Sequence, residues 1–216
     1  MKIKLIILAS CIIWSFLIYK AAYKENKMLL VIGDGSCSAS TLNGLSSVSY
    51  NELLFEFLKK SNNYKQYNDD FCYSNYSLKD LVDDIENNTT IKEKSILNLL
   101  DKADYITISI GYDELTNYKL VTNNIKKEFL ESYSKLLYLV KINTKADVIV
   151  IGFYPGFFNQ YSEINNNIKQ YCYNNEITFV DTSDIYRNKS YFYDYNNYKL
   201  NRRGNEKIFN IIKDNL

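Results

Sequence analysis

The chain is expected to fold as one α/β domain on a parallel sheet, and three features of its 216 residues predict this. Short apolar runs rich in β-branched residues alternate with stretches of helical periodicity. Two of those runs, residues 28–32 and 148–154, hold no charged residue, as strands buried on both faces of a parallel sheet do. Hydrophobic residues make up 46% of the chain, enough for one sizeable core and too little for two.

The element that organises the rest is 28–38, MLLVIGDGSCS. Five apolar residues run into Gly33-Asp34-Gly35 and a cluster of small polar side chains, the way a buried strand delivers its carboxyl end to a functional loop. Residues 47–60 follow as a helix with Tyr50, Leu53, Leu54, Phe57 and Leu58 on one face, and 64–68 as a short extended piece. Ser77 is placed to cap a helix over 78–86, and a polar break precedes another helix over 95–102. The stretch 104–111, DYITISIG, is a second strand ending at glycine and acidic residues. A long amphipathic helix is expected over 119–142, a strand over 146–154 closed by Pro155, a helix over 161–175, a strand over 177–180 and a last helix over 205–214. Strands alternating with helices in this way require right-handed crossovers and a parallel sheet.

Residues 1–27 stand apart. Lys2 and Lys4 precede an uncharged run from Leu5 to Tyr19, which Ala21 to Tyr23 extend past Lys20. A membrane segment fits, with Lys20 snorkelling to the headgroups. A cleaved signal shares the basic start and apolar centre, and Leu8-Ala9-Ser10-Cys11 is similar to a lipoprotein box. No clean small-x-small site follows the apolar run, and membrane-like sequence continues after Cys11, so the favoured reading is an uncleaved single-pass anchor over 1–27 and a soluble domain over 28–216. Lysines at the amino terminus place that domain on the extracytoplasmic side.

Composition removes several functions. Lys plus Arg number 26 and Asp plus Glu 25, so no electrostatic case exists for nucleic acid. Histidine is absent altogether, which takes away the commonest general base and the usual transition-metal ligand. No cofactor motif is present. Of the cysteines, Cys37 and Cys72 each follow an early strand and a bridge between them is open, but the preferred reading is free thiols at Cys37, Cys72 and Cys172.

The residues GDGS after the first strand, IGYDEL after the strand at 104, the apolar VIVIGFYP and the LNRRGNEKI that leads the final helix fall in the order of the blocks of SGNH hydrolases, also called GDSL esterases and lipases, and residues 28–216 resemble that family throughout. The resemblance implies a flavodoxin-like three-layer α/β/α sandwich with a five-stranded parallel sheet, and ester hydrolysis of lipids, acetylated sugars or other acyl compounds.

It also implies which positions would carry the chemistry, and there the chain departs. The nucleophilic serine falls on Gly35, the oxyanion glycine on Asn75, the oxyanion asparagine on Asp113, and the Asp and His of the last block on Asn196 and Lys199. Without a hydroxyl at 35 nothing attacks, without imidazole nothing takes the proton, and a carboxylate at 113 repels a developing oxyanion. The expectation is a membrane-anchored pseudoenzyme that binds or interacts at the cell surface, with Asp34 and Glu114 lining the cleft and Asp113 ion-paired to Lys199. The alternative is an extracytoplasmic esterase acting on acyl or O-acetyl groups of lipid or cell-envelope glycan, with Ser36, Cys37 or Ser38 as displaced nucleophile and Lys199 as base. A hard cation held by Asp34, Asp113 and Glu114 is the remaining option, ranked below pairing of those carboxylates with lysine.

Overall fold

Lys27–Gly33 forms β1, an apolar strand buried along all but its first residue. In the computed structural model, which describes residues 26–38, 41–42, 45–116, 121–153, 160–194 and 199–216, it is flanked on both sides by parallel neighbours. These are β2 (Tyr64–Cys72) and β3 (Tyr105–Ser109), and β4 (Asp147–Ile151) and β5 (Thr178–Val180) continue the sheet outward. All five strands are parallel in the order β2-β1-β3-β4-β5, the flavodoxin-like arrangement that the family resemblance implies.

Helices cover both faces. The helices are α1 (Tyr50–Asn62), α2 (Leu78–Glu86), α3 (Ile96–Lys102), α4 (Tyr112–Thr116), α5 (Asn123–Asn143), α6 (Gln160–Asn174) and α7 (Arg202–Lys213). On one side α1 packs against α7, and on the other α5 contacts α2, α3 and α6. The core therefore lies in two layers, with Leu29, Leu30, Val31 and Ile32 of β1 fully buried between them.

Local chemistry sets the helix starts. Ser49 and Glu52 form a reciprocal capping box, so α1 begins at Tyr50 and not at Ser47. Ser77, Ser95, Thr122 and Asn201 cap α2, α3, α5 and α7 through their side-chain oxygens, and the cap at Asn201 brings the last helix forward to Arg202 from the expected 205. Strand β2 is longer than the expected 64–68. It is an edge strand with a polar sequence, whose buried side chains Tyr64, Asn68 and Phe71 do not keep strict alternation because its register with β1 shifts between Leu30 and Ile32. Residues 112–116, expected as loop, form the single helical turn α4.

Asp70 on β2 closes the sheet edge. Its carboxylate meets Lys92 at 2.9 Å and Lys94 at 3.0 Å, tying the strand to the 90–95 turn. Burial works against its charge, but the two lysines and Asn68 outweigh that and hold its pKa at about 2. A carboxyl depressed in the folded state stabilises the protein above its unfolded pKa and loses that contribution as the pH falls. Asp70→Asn is expected to lower stability by about 1 kcal/mol near neutrality, since the exposed lysines are screened by solvent. Thermal melts of the two proteins should converge between about pH 4 and pH 2.

The proposed anchor at 1–27 lies outside the described residues except for its last two, and Pro155 lies outside them as well. Among the described residues no helix is long and apolar enough to cross a membrane.

Candidate functional site

The crevice where the strand order reverses lies beyond the carboxyl ends of β1 and β3, and the glycine-rich turn after β1 opens into it. Backbone closeness forms the turn. A Cβ on Gly33 would lie 1.9 Å from the Ser109 carbonyl oxygen, so only glycine lets β1 and β3 approach as they do.

Asp34, fully buried, is the frame of the loop. Its Oδ1 accepts from the Ser36 amide at 2.9 Å and its Oδ2 from the Asp113 amide at 3.0 Å, while its own amide donates to the Ser109 carbonyl. Burial pushes its carboxyl above the ordinary carboxylate range, the Ser36 hydroxyl and amide pull it back, and the nearby Asp113 charge adds to the rise. Asp34 is thus a structural clamp between the two loops.

Two backbone amides then converge on one oxygen. Asp113 Oδ2 accepts from Gly35 N at 3.0 Å and from Asn75 N at 2.9 Å. Asn75 holds a left-handed φ of 61°, a conformation open to glycine and, among the other residues, most readily to asparagine, which orients its amide inward. Two amides aimed at a single point are a donor pair suited to an anionic oxygen, and here that oxygen belongs to the Asp113 side chain. Position 35 has no side chain, and a Cβ there would stand 2.9 Å from Asp113 Oδ2 and 3.1 Å from Ser74 Oγ.

The remaining expected site residues part company. Glu114 Oε2 accepts from the Leu78 amide at 3.2 Å and so completes the start of α2. Ser38 donates to the Gly35 carbonyl, and the Ser36 hydroxyl lies 2.6 Å from that of Ser109, a partner that the sequence did not mark because serine in a buried strand has no distinctive pattern. Cys37 is bonded to Cys72, which corrects the free-thiol expectation and removes Cys37 as a nucleophile. The pairing follows from parallel register, because β1 and β2 end side by side with Gly33 opposite Cys72. Cys172 is a free, buried thiol. Lys199 is exposed on a two-residue ribbon strand opposite 192–194, and no ion pair joins it to Asp113 among the described residues. The expected Asp113 to Lys199 pair is therefore replaced by the two amide contacts. Asn196 lies outside the described residues. Among the described residues no three acidic or cysteine side chains converge as a metal site.

No protein-family model and no curated protein sequence matches the chain. Solved structures do. A lipase from a goat rumen metagenome superposes with a TM-score of 0.69 at 16% identity, covering 87% of this chain and 96% of that one. A member of the lipolytic G-D-S-L family from Veillonella parvula gives 0.61 at 15% identity over 87% and 97% of the two chains. The fold is that of the GDSL (SGNH) hydrolases. A carbohydrate esterase family 3 structure from Talaromyces cellulolyticus gives a TM-score of 0.64 at 13% identity, covering 88% of this chain and 95% of that one. A psychrotrophic esterase, EstA, from Pseudoalteromonas sp. gives 0.62 at 13% identity over 87% and 95% of the two chains. The loops after β1, β2 and β3 bring Gly35, Asn75 and Asp113 together at the crevice that they form.

Proposed function

We propose that this protein is a membrane-anchored, catalytically inactive relative of the GDSL hydrolases that uses its crevice, or the surface around it, for binding at the cell surface. One observation carries the reading: the carboxylate of Asp113 accepts the amides of both Gly35 and Asn75, the positions that the family resemblance assigns to the nucleophile and to an oxyanion donor. A substrate carbonyl entering there would have to displace a charged acceptor from two charge-assisted hydrogen bonds, each worth about 1.5–3 kcal/mol. Even after displacement it would meet no hydroxyl at position 35.

The rearranged esterase finds less support. It needs a nucleophile beside a base, and Ser36 faces Ser109 while Cys37 is tied up in a disulfide. Tyr50 is no substitute base, since full burial raises its phenol far above the working range. The cell-envelope acyl or glycan groups that would have been substrates become candidate ligands of the crevice. The Cys37–Cys72 bridge favours an oxidising, extracytoplasmic setting for the domain.

Full-length protein in mild detergent is expected to hydrolyse p-nitrophenyl acetate and longer p-nitrophenyl esters at the buffer rate. Hydrolysis above that rate, lost in Ser36→Ala or Lys199→Ala, would replace this reading with the rearranged esterase.

A further inference from the structure

The four most exposed large apolar side chains of the described surface gather at one end, while the less exposed Val48 and Tyr73 lie on the segments before α1 and after β2, at the crevice end. Tyr138 and Ile142 near the close of α5 are 57% and 58% exposed, Tyr173 at the close of α6 is 81% exposed, and Leu216 ends the chain beside them. This end is the base of the sheet, where the strands begin, opposite the crevice. A broad cavity of about 720 Å³ opens there, lined by Lys27, Lys141 and Lys145 together with Asp147 and Glu176. None of the three lysines belongs to an ion pair among the described residues. Lys27 instead lies over the Tyr64 ring at 5.5 Å.

Exposed tyrosines and an isoleucine near lysines that form no ion pair among the described residues match the chemistry of a bilayer interface, where aromatic rings sit at headgroup level and lysine stems lie along apolar surface with the amine in the phosphate layer. With Asp147 and Glu176 in the same cavity the surface is mixed in charge, so it suits shallow contact with headgroups more than electrostatic capture at a distance.

The chain's direction brings this face to the membrane. Lys27 opens β1 at the base, and only Lys24, Glu25 and Asn26 separate it from the apolar N-terminal run that ends at Tyr23. Four residue steps reach at most about 14 Å. The seven residues of β1 then climb about 20 Å to the Gly33-Asp34 turn.

We infer that the base of the domain, through Tyr138, Ile142 and Tyr173 with Lys27, Lys141 and Lys145, rests on the surface of the bilayer that anchors the chain, and that the crevice faces away from it. This rests on the anchor reading proposed above. It excludes lipids of the same membrane as ligands of the crevice and leaves solutes, glycan or protein on the aqueous side.

The full-length protein, with Cys11→Ser to clear the one other reactive thiol, is reconstituted into phosphatidylcholine–phosphatidylglycerol vesicles. A nitroxide is attached after Ile142→Cys or Tyr173→Cys at the base, and after Lys79→Cys or Thr116→Cys at the crevice end. Oxygen, concentrated in lipid, should relax the base labels severalfold more than an aqueous nickel chelate does, with the reverse order at 79 and 116. Protein that floats with the vesicles while all four labels favour the nickel chelate overturns the docking and leaves the anchor standing. Protein that does not float overturns both.

Discussion

Replacing Cys37 and Cys72 together by serine is expected to lower the stability of the domain by about 3–4 kcal/mol, the loop-closure value for the 35-residue separation of the two cysteines. The effect is large because the bridge closes a long loop in the unfolded chain, where neither the β1–β2 ladder nor the Asp113 contacts exist. Cys37 closes the turn that carries the Gly35 amide, and Cys72 opens the loop that carries the Asn75 amide, so the two donors to Asp113 sit on opposite sides of one covalent link. Urea unfolding of the native and double-serine proteins measures the loss, and reduction of the native protein by dithiothreitol should reproduce it. Equal midpoints for all three would mean that the loops are held by the β1–β2 ladder alone. Retention of the fold with a shifted midpoint would assign to the bridge the role of fixing the crevice.

The sheet was legible in the sequence because its physics is repetitive. The apolar runs of β1, β3 and β4 are buried on both faces and leave an unbroken hydrophobic signature, and their positions were found to within a few residues. Strand β2 was only half visible, since an edge strand carries Lys65, Gln66 and Asp69 on exposed positions and hides its pairing in backbone contacts. Helix starts were readable where a serine capped them, as at Ser77, and misplaced where two serines competed, as at Ser47 and Ser49.

The crevice was legible in position but not in its bonds. Short motifs mark Gly35, Asn75 and Asp113 in the sequence, while the opposite charges of Asp113 and Lys199 suggest an ion pair that the fold does not form. Backbone amides carry no sequence signature. Two N–H groups converging on one point, one of them on a left-handed asparagine, create a local positive potential without a cationic residue, and Asp113 answers it. The disulfide is open in the sequence but not preferred for a related reason, because the cysteines lie far apart in sequence and are adjacent only through the parallel register of β1 and β2.

Gly35 and Asp113 should behave as one unit. Gly35→Ser is expected to cost about 2 kcal/mol, because the new Cβ lands 2.9 Å from Asp113 Oδ2 and the carboxylate can move away only by breaking its contacts with the Gly35 and Asn75 amides. Backbone strain contributes nothing, since Gly35 is not among the residues of positive φ. Asp113→Ala alone leaves the two amides to water at the half-exposed loop, for about 1 kcal/mol. In the double variant the conflict at position 35 disappears, so its loss should fall below the sum of the single losses by about 1–2 kcal/mol, measured by denaturant unfolding of the four proteins. Strict additivity would show that side chain 113 does not govern which residue fits at 35. None of the four should hydrolyse an ester above the buffer rate, because the restored hydroxyl still has no imidazole to take its proton. A serine at 35 and a carboxylate at 113 compete for the same space. The contact of Asp113 with the Gly35 and Asn75 amides and the absence of a side chain at 35 are therefore expected to depend on each other.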